Sequence, residues 1–183
     1  ARRRPMGAHD WAALARCARD GLAGADDGPS RDGAEEARYE AQKAWLAERG
    51  EAPHEYVLRV VAWGEDGVAL EPCLVPYALE EGLEHWILWF DPHRFPPAEA
   101  LPGEAFVRGA LERRLGELPL EEWIVWYENP PSKRSVPAIR HLHVFLNLLA
   151  APGAAPAAAA ASRRSWAARS DWLREEQARA AAA

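Results

Sequence analysis

The chain reads as an α+β domain, with a small, mainly antiparallel sheet of tryptophan-rich strands and helices packed on one face. Three observations predict this. Short aromatic runs without Lys, Arg, Asp or Glu occur at 85–90 (HWILWF), 123–127 (WIVWY) and 141–146 (HLHVFL). They are bounded by acidic or Pro-containing segments, as strands buried on both faces are. Helical apolar spacing marks 34–49 and 103–117. The order along the core is α, α, β, α, β, β, the pattern of helices set against a mainly antiparallel sheet.

A first helix is expected over 9–22, with Asp10 as cap and Trp11, Leu14, Ala15 and Ala18 at helical spacing. Residues 23–33 are rich in Gly, Asp and Pro and read as a linker. The second helix, 34–49, carries Ala37, Ala41, Ala44 and Trp45 on one side and stops at Gly50. Residues 54–63 are rich in β-branched side chains. Their apolar spacing at Tyr56, Val57, Val60 and Val61 nevertheless favours a short helix after Pro53. Glu65-Asp66-Gly67 makes a turn into a short strand at 68–70. The aromatic strand 85–90 ends at Asp91-Pro92. A helix at 103–117 follows, with Phe106, Val107, Ala110, Leu111 and Leu115 inward, and then the two remaining strands. This divides the chain into an N-terminal helix and linker (1–29), a core domain (30–149), an Ala/Pro linker (150–161) and a C-terminal helix (162–183).

The chain has 183 residues, 49% of them hydrophobic and 27% charged, a soluble globular composition with room for one core. Nine tryptophans are many, and they fit either a packed core or a ligand-stacking cleft. The net charge of −6 hides a segregation: Arg2, Arg3 and Arg4 and the last 34 residues are basic, which leaves the central block at −11. Such a core repels phosphate backbones, so nucleic-acid binding by it is not expected. Cys17 and Cys73 lack metal or redox spacing and read as free thiols in an intracellular, cytoplasmic setting. The opening arginines leave room for an organellar one, as the remnant of a transit peptide. No segment is apolar and long enough to suggest a membrane span.

Chemistry concentrates in 126–145, WYENPPSKRSVPAIRHLHVF. Period 2 along a strand aims His141 and His143 at one face, with α-carbons about 6.5–7 Å apart. His85 opens the other aromatic strand. Were the two strands neighbours, the three histidines could hold a single divalent metal. They could equally serve a metal-free anion or proton-transfer site, with His141 and His143 as the catalytic pair, or simply hydrogen-bond in the core. Lys133, Arg134 and Arg140 put three cations within eight residues beside the donors Asn129 and Ser135, a composition suited to phosphate or carboxylate. The alternative is a solvated loop whose cations balance Glu121, Glu122 and Glu128. Ser135 has no G-x-S-x-G context, so a hydrolase triad is not expected.

Two blocks, PYALEEGLEHWILWF and WYENPPSKRSVPAIRHLHVFL, resemble the signature blocks of the fungal N-acetylglucosamine-induced protein family, a domain of unknown function. Pro76, Tyr77, Gly82, His85 and Trp89 take the places of the first block. Trp126, Tyr127, Asn129, Ser135, Val136, His141, His143 and Val144 take those of the second. The resemblance covers about residues 30–147 and departs at Cys73-Leu74-Val75, where that family commonly has a polar Asn-Asp. It implies a cytoplasmic setting linked to an amino sugar, and no established reaction. The functional expectation is therefore a small anionic, sugar-phosphate-like ligand held by Tyr77, Asn129, Arg134, Ser135 and Arg140 beside the histidines. The alternative is a non-catalytic assembly subunit. The stripe of Trp166, Trp172 and Leu173 in 162–183 would then dock on a partner protein, which is slightly favoured over docking on the acidic core.

Overall fold

The computed structural model describes residues 9–20, 29–116, 123–150 and 155–182. The basic residues 2–4, most of the 23–33 linker, Glu121 and Glu122 lie outside that set, as do residues 151–154.

Helix α1 spans Trp11–Asp20 and is capped by Asp10, whose Oδ1 accepts the Ala13 N–H at 2.8 Å. Helix α2, Gly33–Glu48, starts on Asp32, whose carboxylate accepts the amides of Ala34 and Glu35 at 2.9 and 3.1 Å. The β-branched stretch after it folds as helix α3, Pro53–Val60, with Pro at its start and Glu55 accepting the Ala52 amide. Its Tyr56, Val57 and Val60 are buried, so helical apolar spacing prevails over β propensity here.

Strands β1 (Val68–Pro72), β2 (Leu83–Phe90), β3 (Ile124–Tyr127) and β4 (His141–Asn147) form one antiparallel sheet in the order β1-β2-β4-β3. The two strands that carry the histidines are thus neighbours, with Ile87 opposite His143 and Trp89 opposite His141. Gly82, just before β2, has φ +86°, a left-handed conformation that strains any residue with a Cβ. Helix α4, Glu104–Leu115, lies between β2 and β3 in sequence.

Alternation along the strands makes two cores rather than one. Leu70, Trp86, Leu88, Phe90, Leu142, Val144 and Leu146 face α4 through Val107, Ala110, Leu111 and Leu115. Ala69, Ile87 and Trp89 face the other way, onto Trp45 and Leu46 of α2 and Tyr56, Val57 and Val60 of α3. Leu14 of α1 extends that second layer over Tyr127 and Phe145. The α+β class holds, but helices cover both sheet faces, not one. The strands are apolar on both sides, and each side needs a cover.

The C-terminal segment departs most from expectation. The Ala/Pro stretch expected as a linker is helical from its sixth residue onward: helix α5 runs Ala155–Arg169, and helix α6 follows as Asp171–Ala181. Alanine is the strongest helix former and Pro156 sits in the first turn, where proline is tolerated, so low complexity here encodes helix. Ser170 breaks the pair, capping α6 by accepting the Leu173 amide at 3.2 Å. Rather than extending toward a partner, the pair packs on its own core. Ala159, Trp166 and Trp172 are 0%, 4% and 1% exposed, and the buried Tyr56 hydroxyl meets Ser170 Oγ at 2.7 Å.

Candidate functional site

Between the second sheet face and helices α2 and α3 lies a cavity of about 100 Å³. Its floor is Ile87, Trp89, His141 and His143, and Tyr56, Val57 and Trp166 wall it. Tyr39, Lys43 and Arg31 stand at its α2 side, and Ser135 and Val136 come from the long β3–β4 loop.

The two β4 histidines share a face, as period 2 requires, but do different work. The His141 Nδ1–H donates to the Ile139 carbonyl at 2.9 Å. A carbonyl can only accept, so the proton sits on Nδ1 and the neutral ring keeps its lone pair on Nε2. Nε2 makes no hydrogen bond among the described residues. Burial lowers the pKa of His141, although the Ile139 carbonyl opposes the shift, so the ring is a neutral acceptor at pH 7.

His143 is satisfied at both nitrogens. The Tyr77 backbone N–H donates to His85 Nδ1 at 3.2 Å, which puts the His85 proton on Nε2. That proton goes to His143 Nδ1 at 2.8 Å, so His143 is itself protonated on Nε2, 2.7 Å from the Asn129 side-chain amide. Only the amide orientation that turns Oδ1 toward Nε2 gives each imidazole one proton. The half-turned orientation, with Nδ2 there, would leave His85 with none. The result is a directed chain from Tyr77 N–H through two imidazoles to Asn129. Tyr77 stacks on His85 with ring centres 4.5 Å apart, and Phe145 stacks on its other neighbours at 4.8 Å from His85. Burial drives the pKa of His85 down to about 3 and that of His143 well below the usual value, with Arg31 and the neighbouring rings adding to the effect.

This geometry corrects the metal expectation. His85 and His143 bond each other directly instead of converging on an ion. Among the described residues, no group of three His, Cys, Asp or Glu side chains is arranged to hold one. Tyr77 and Asn129 belong to the buried chain rather than to the cavity lining. Arg134 and Arg140 are also occupied: both bind Glu128 Oε1, at 2.8 and 3.1 Å, and Arg134 Nε donates to the Asn129 carbonyl. Of the three acids expected to balance the loop, Glu128 does so for these two arginines, which are largely buried, while Glu121 and Glu122 lie outside the described residues. Of the expected residues, His141, His143 and Ser135 reach the cavity.

Sequence reading missed the cations that do reach it. Arg31 precedes α2 and lies over the Tyr39 ring at 4.0 Å, and Lys43 Nζ is 5.4 Å from the same ring. The i, i+4 spacing of Tyr39 and Lys43 on α2 was a visible signal, without any indication that this face meets the sheet. Cys73, Leu74 and Val75 also line the cavity, so the departure from the resembled family falls on its wall. The Cys73 thiol donates to the Val75 carbonyl, and its enclosure pushes its pKa up to about 11, which makes it an unreactive thiol.

Among curated proteins no sequence match is found. A solved structure described as "Crystal Structure of HTC1" superposes with a TM-score of 0.55 at 22% identity, over 75% of this chain and 84% of that one, a likeness of fold. The family model described as "Protein of unknown function (DUF3605)" matches residues 30–147, which hold the whole sheet, α2 to α4, both signature blocks and every histidine of the site. The chain therefore belongs to the DUF3605 family of proteins of unknown function.

Proposed function

We propose that the domain binds a small anionic ligand in the cavity between α2, α3 and the histidine face of the sheet. The observation that carries this is the charge of its lining. Arg31 and Lys43 line the cavity and, among the described residues, no carboxylate does, in a chain whose central block is −11. A cationic mouth on an acidic molecule attracts an anion locally while the rest of the surface repels it. His141, neutral and with an unpartnered Nε2, supplies an acceptor deeper in. The resemblance to the N-acetylglucosamine-induced family makes a sugar derivative one candidate, and Cys73, a thiol outside any disulfide, suits an intracellular setting.

The test is a thermal-shift panel of sugar phosphates and small carboxylates at millimolar concentration. A ligand present at 100 times its Kd stabilises by about 2.7 kcal/mol, a shift of several degrees. The rise should shrink in Lys43→Gln, whose side chain is half-exposed and outside both cores. A panel that leaves the melting temperature unchanged throughout removes the proposal.

A second reading, a non-catalytic assembly subunit, draws on the His85–His143–Asn129 chain, which is hydrogen-bonded and packed as a structural element would be. Its contact surface would be the outward arginines of the C-terminal helices, Arg164, Arg174 and Arg179, because the tryptophan stripe is already buried.

A further inference from the structure

Resting on that reading of the cavity, the placement of its few polar groups narrows the ligand. We propose that it is a single-ring aromatic hydroxy-carboxylate, with its hydroxyl at His141 Nε2 and its carboxylate at Arg31 and Lys43.

Three features argue for this class. The first is the inner end. His141 spends its only proton on the Ile139 carbonyl, so it accepts and does not donate. It therefore calls for a ligand donor such as a phenolic hydroxyl, and it repels a second anionic group.

The second is the wall. Tyr56, Trp89 and Trp166 enclose the middle of the cavity with Leu46, Val57 and Ile87. Flat apolar surfaces suit a planar ring. A sugar carries hydroxyls on every side, and each one buried against such walls without a partner costs about 1–3 kcal/mol. Size agrees: the cavity measures about 100 Å³. A closed cavity of about 150 Å³ holds one benzene, so this open one suits a single ring whose charged end reaches the mouth. A hexose phosphate is larger than the enclosed space.

The third is the mouth. Arg31 and Lys43 lie beside the Tyr39 ring: Arg31 Nε donates to the Val75 carbonyl at 3.3 Å, with Glu36 3.9 Å from its guanidinium, and Glu40 pairs with Lys43 in an exposed contact. The exposed Lys43–Glu40 pair contributes about 0–1 kcal/mol and exchanges readily for a ligand carboxylate. Both charges lie near the Tyr39 ring, the Arg31 guanidinium 4.0 Å and the Lys43 Nζ 5.4 Å from its centre, a fork and a point charge at the same end of the cavity lining.

The experiment is calorimetric titration of the full chain with para-hydroxybenzoate, benzoate, phenol and glucose phosphate. Para-hydroxybenzoate should bind at least tenfold more tightly than benzoate, which lacks the hydroxyl, and than phenol, which lacks the carboxylate. His141→Phe keeps a ring on the floor but removes the acceptor. It should erase the preference for para-hydroxybenzoate over benzoate while benzoate binding persists, a pattern that general damage to the fold would not produce. Lys43→Gln should weaken both acids alike and leave phenol unchanged. If His141→Phe does not fold, the order of the four compounds on the unaltered chain decides alone. Para-hydroxybenzoate binding no better than benzoate overturns the inference. Glucose phosphate binding where the aromatic acids fail overturns it too, but leaves the anion reading standing. No heat from any anion overturns both.

Discussion

A neutral imidazole shut away from water is a proton-binding site that the native state refuses to use. His85, His141 and His143 all have lowered pKa values, with burial as the largest cause, whereas the unfolded chain binds protons near 6.5. Below about pH 6.5 the unfolded state therefore holds more protons than the native one, and stability falls as pH falls. By linkage His85, with its pKa near 3, contributes a loss of roughly 1–2 kcal/mol between pH 7 and pH 5, and His141 and His143 act in the same direction. Denaturant unfolding at those two pH values should show the loss, and nuclear magnetic resonance should find the rings of His85 and His143 neutral, each with its single Nε2 proton, at both. A ring that titrates near 6.5 would contradict the assigned chain of hydrogen bonds. At this scale the sequence told much: strand period alone put His141 and His143 on one face, and pattern picked out His85. It could not tell which ring turns to the Ile139 carbonyl and which to its neighbour, because that depends on strand register and on a loop carbonyl. Nor could it show that Glu128 occupies Arg134 and Arg140, since pairing is a property of the folded loop.

Helix α3 shows what local pattern can resolve: apolar spacing and a leading proline outweighed β-branched composition and identified the element correctly. The C-terminal pair shows the opposite. Its Ala-rich start, 155–161, has no amphipathic contrast, so that part of the helix is not visible before packing, although the helix expected over 162–183 and its stripe of Trp166, Trp172 and Leu173 are. Charge was also misleading there. A net basic tail suggested cations reaching onto an acidic core, and Arg163–Glu84 and Arg169–Glu71 do so. Yet Asp171, Glu175 and Glu176 of α6 bind Arg59, Arg49 and Arg38 of the core in the reverse sense. Most of these pairs are partly exposed, worth about 0–1 kcal/mol each and sensitive to salt. Burial of Trp166 and Trp172 is the larger effect. Trp172→Ala should cost about 3–5 kcal/mol by equilibrium unfolding. High salt should leave α6 as protected from hydrogen exchange as low salt does. Loss of that protection in salt, with little effect of the substitution, would make the ion pairs the main fastening.

The whole molecule is a sheet with two apolar faces, and no single stretch of sequence covers both. Helix α4 closes one face together with Ala159 of α5, and the other is assembled from α1, α2, α3 and the C-terminal pair, contributed from both ends of the chain. The family match stops at residue 147, before any of the C-terminal helix pair, and starts at 30, after α1. Trp166 is both part of the second core and a wall of the cavity, so stability and binding meet in one side chain outside the matched region. An isolated fragment of residues 30–147 would expose the faces of Trp45, Tyr56 and Trp89 that Trp166 and Trp172 now help to cover, and would leave the carboxylate of Glu71, 3% exposed in the full chain, without Arg169. A fold loses several kcal/mol when contacts of this kind go, out of a total stability of about 5–15 kcal/mol. The fragment should therefore melt much lower than the full chain or collapse without fixed side-chain packing, seen as loss of near-ultraviolet circular dichroism from its tryptophans, and it should bind no small acid at the cavity. A fragment that melts like the full chain and binds equally well would show that the C-terminal helices rest on a domain already complete without them.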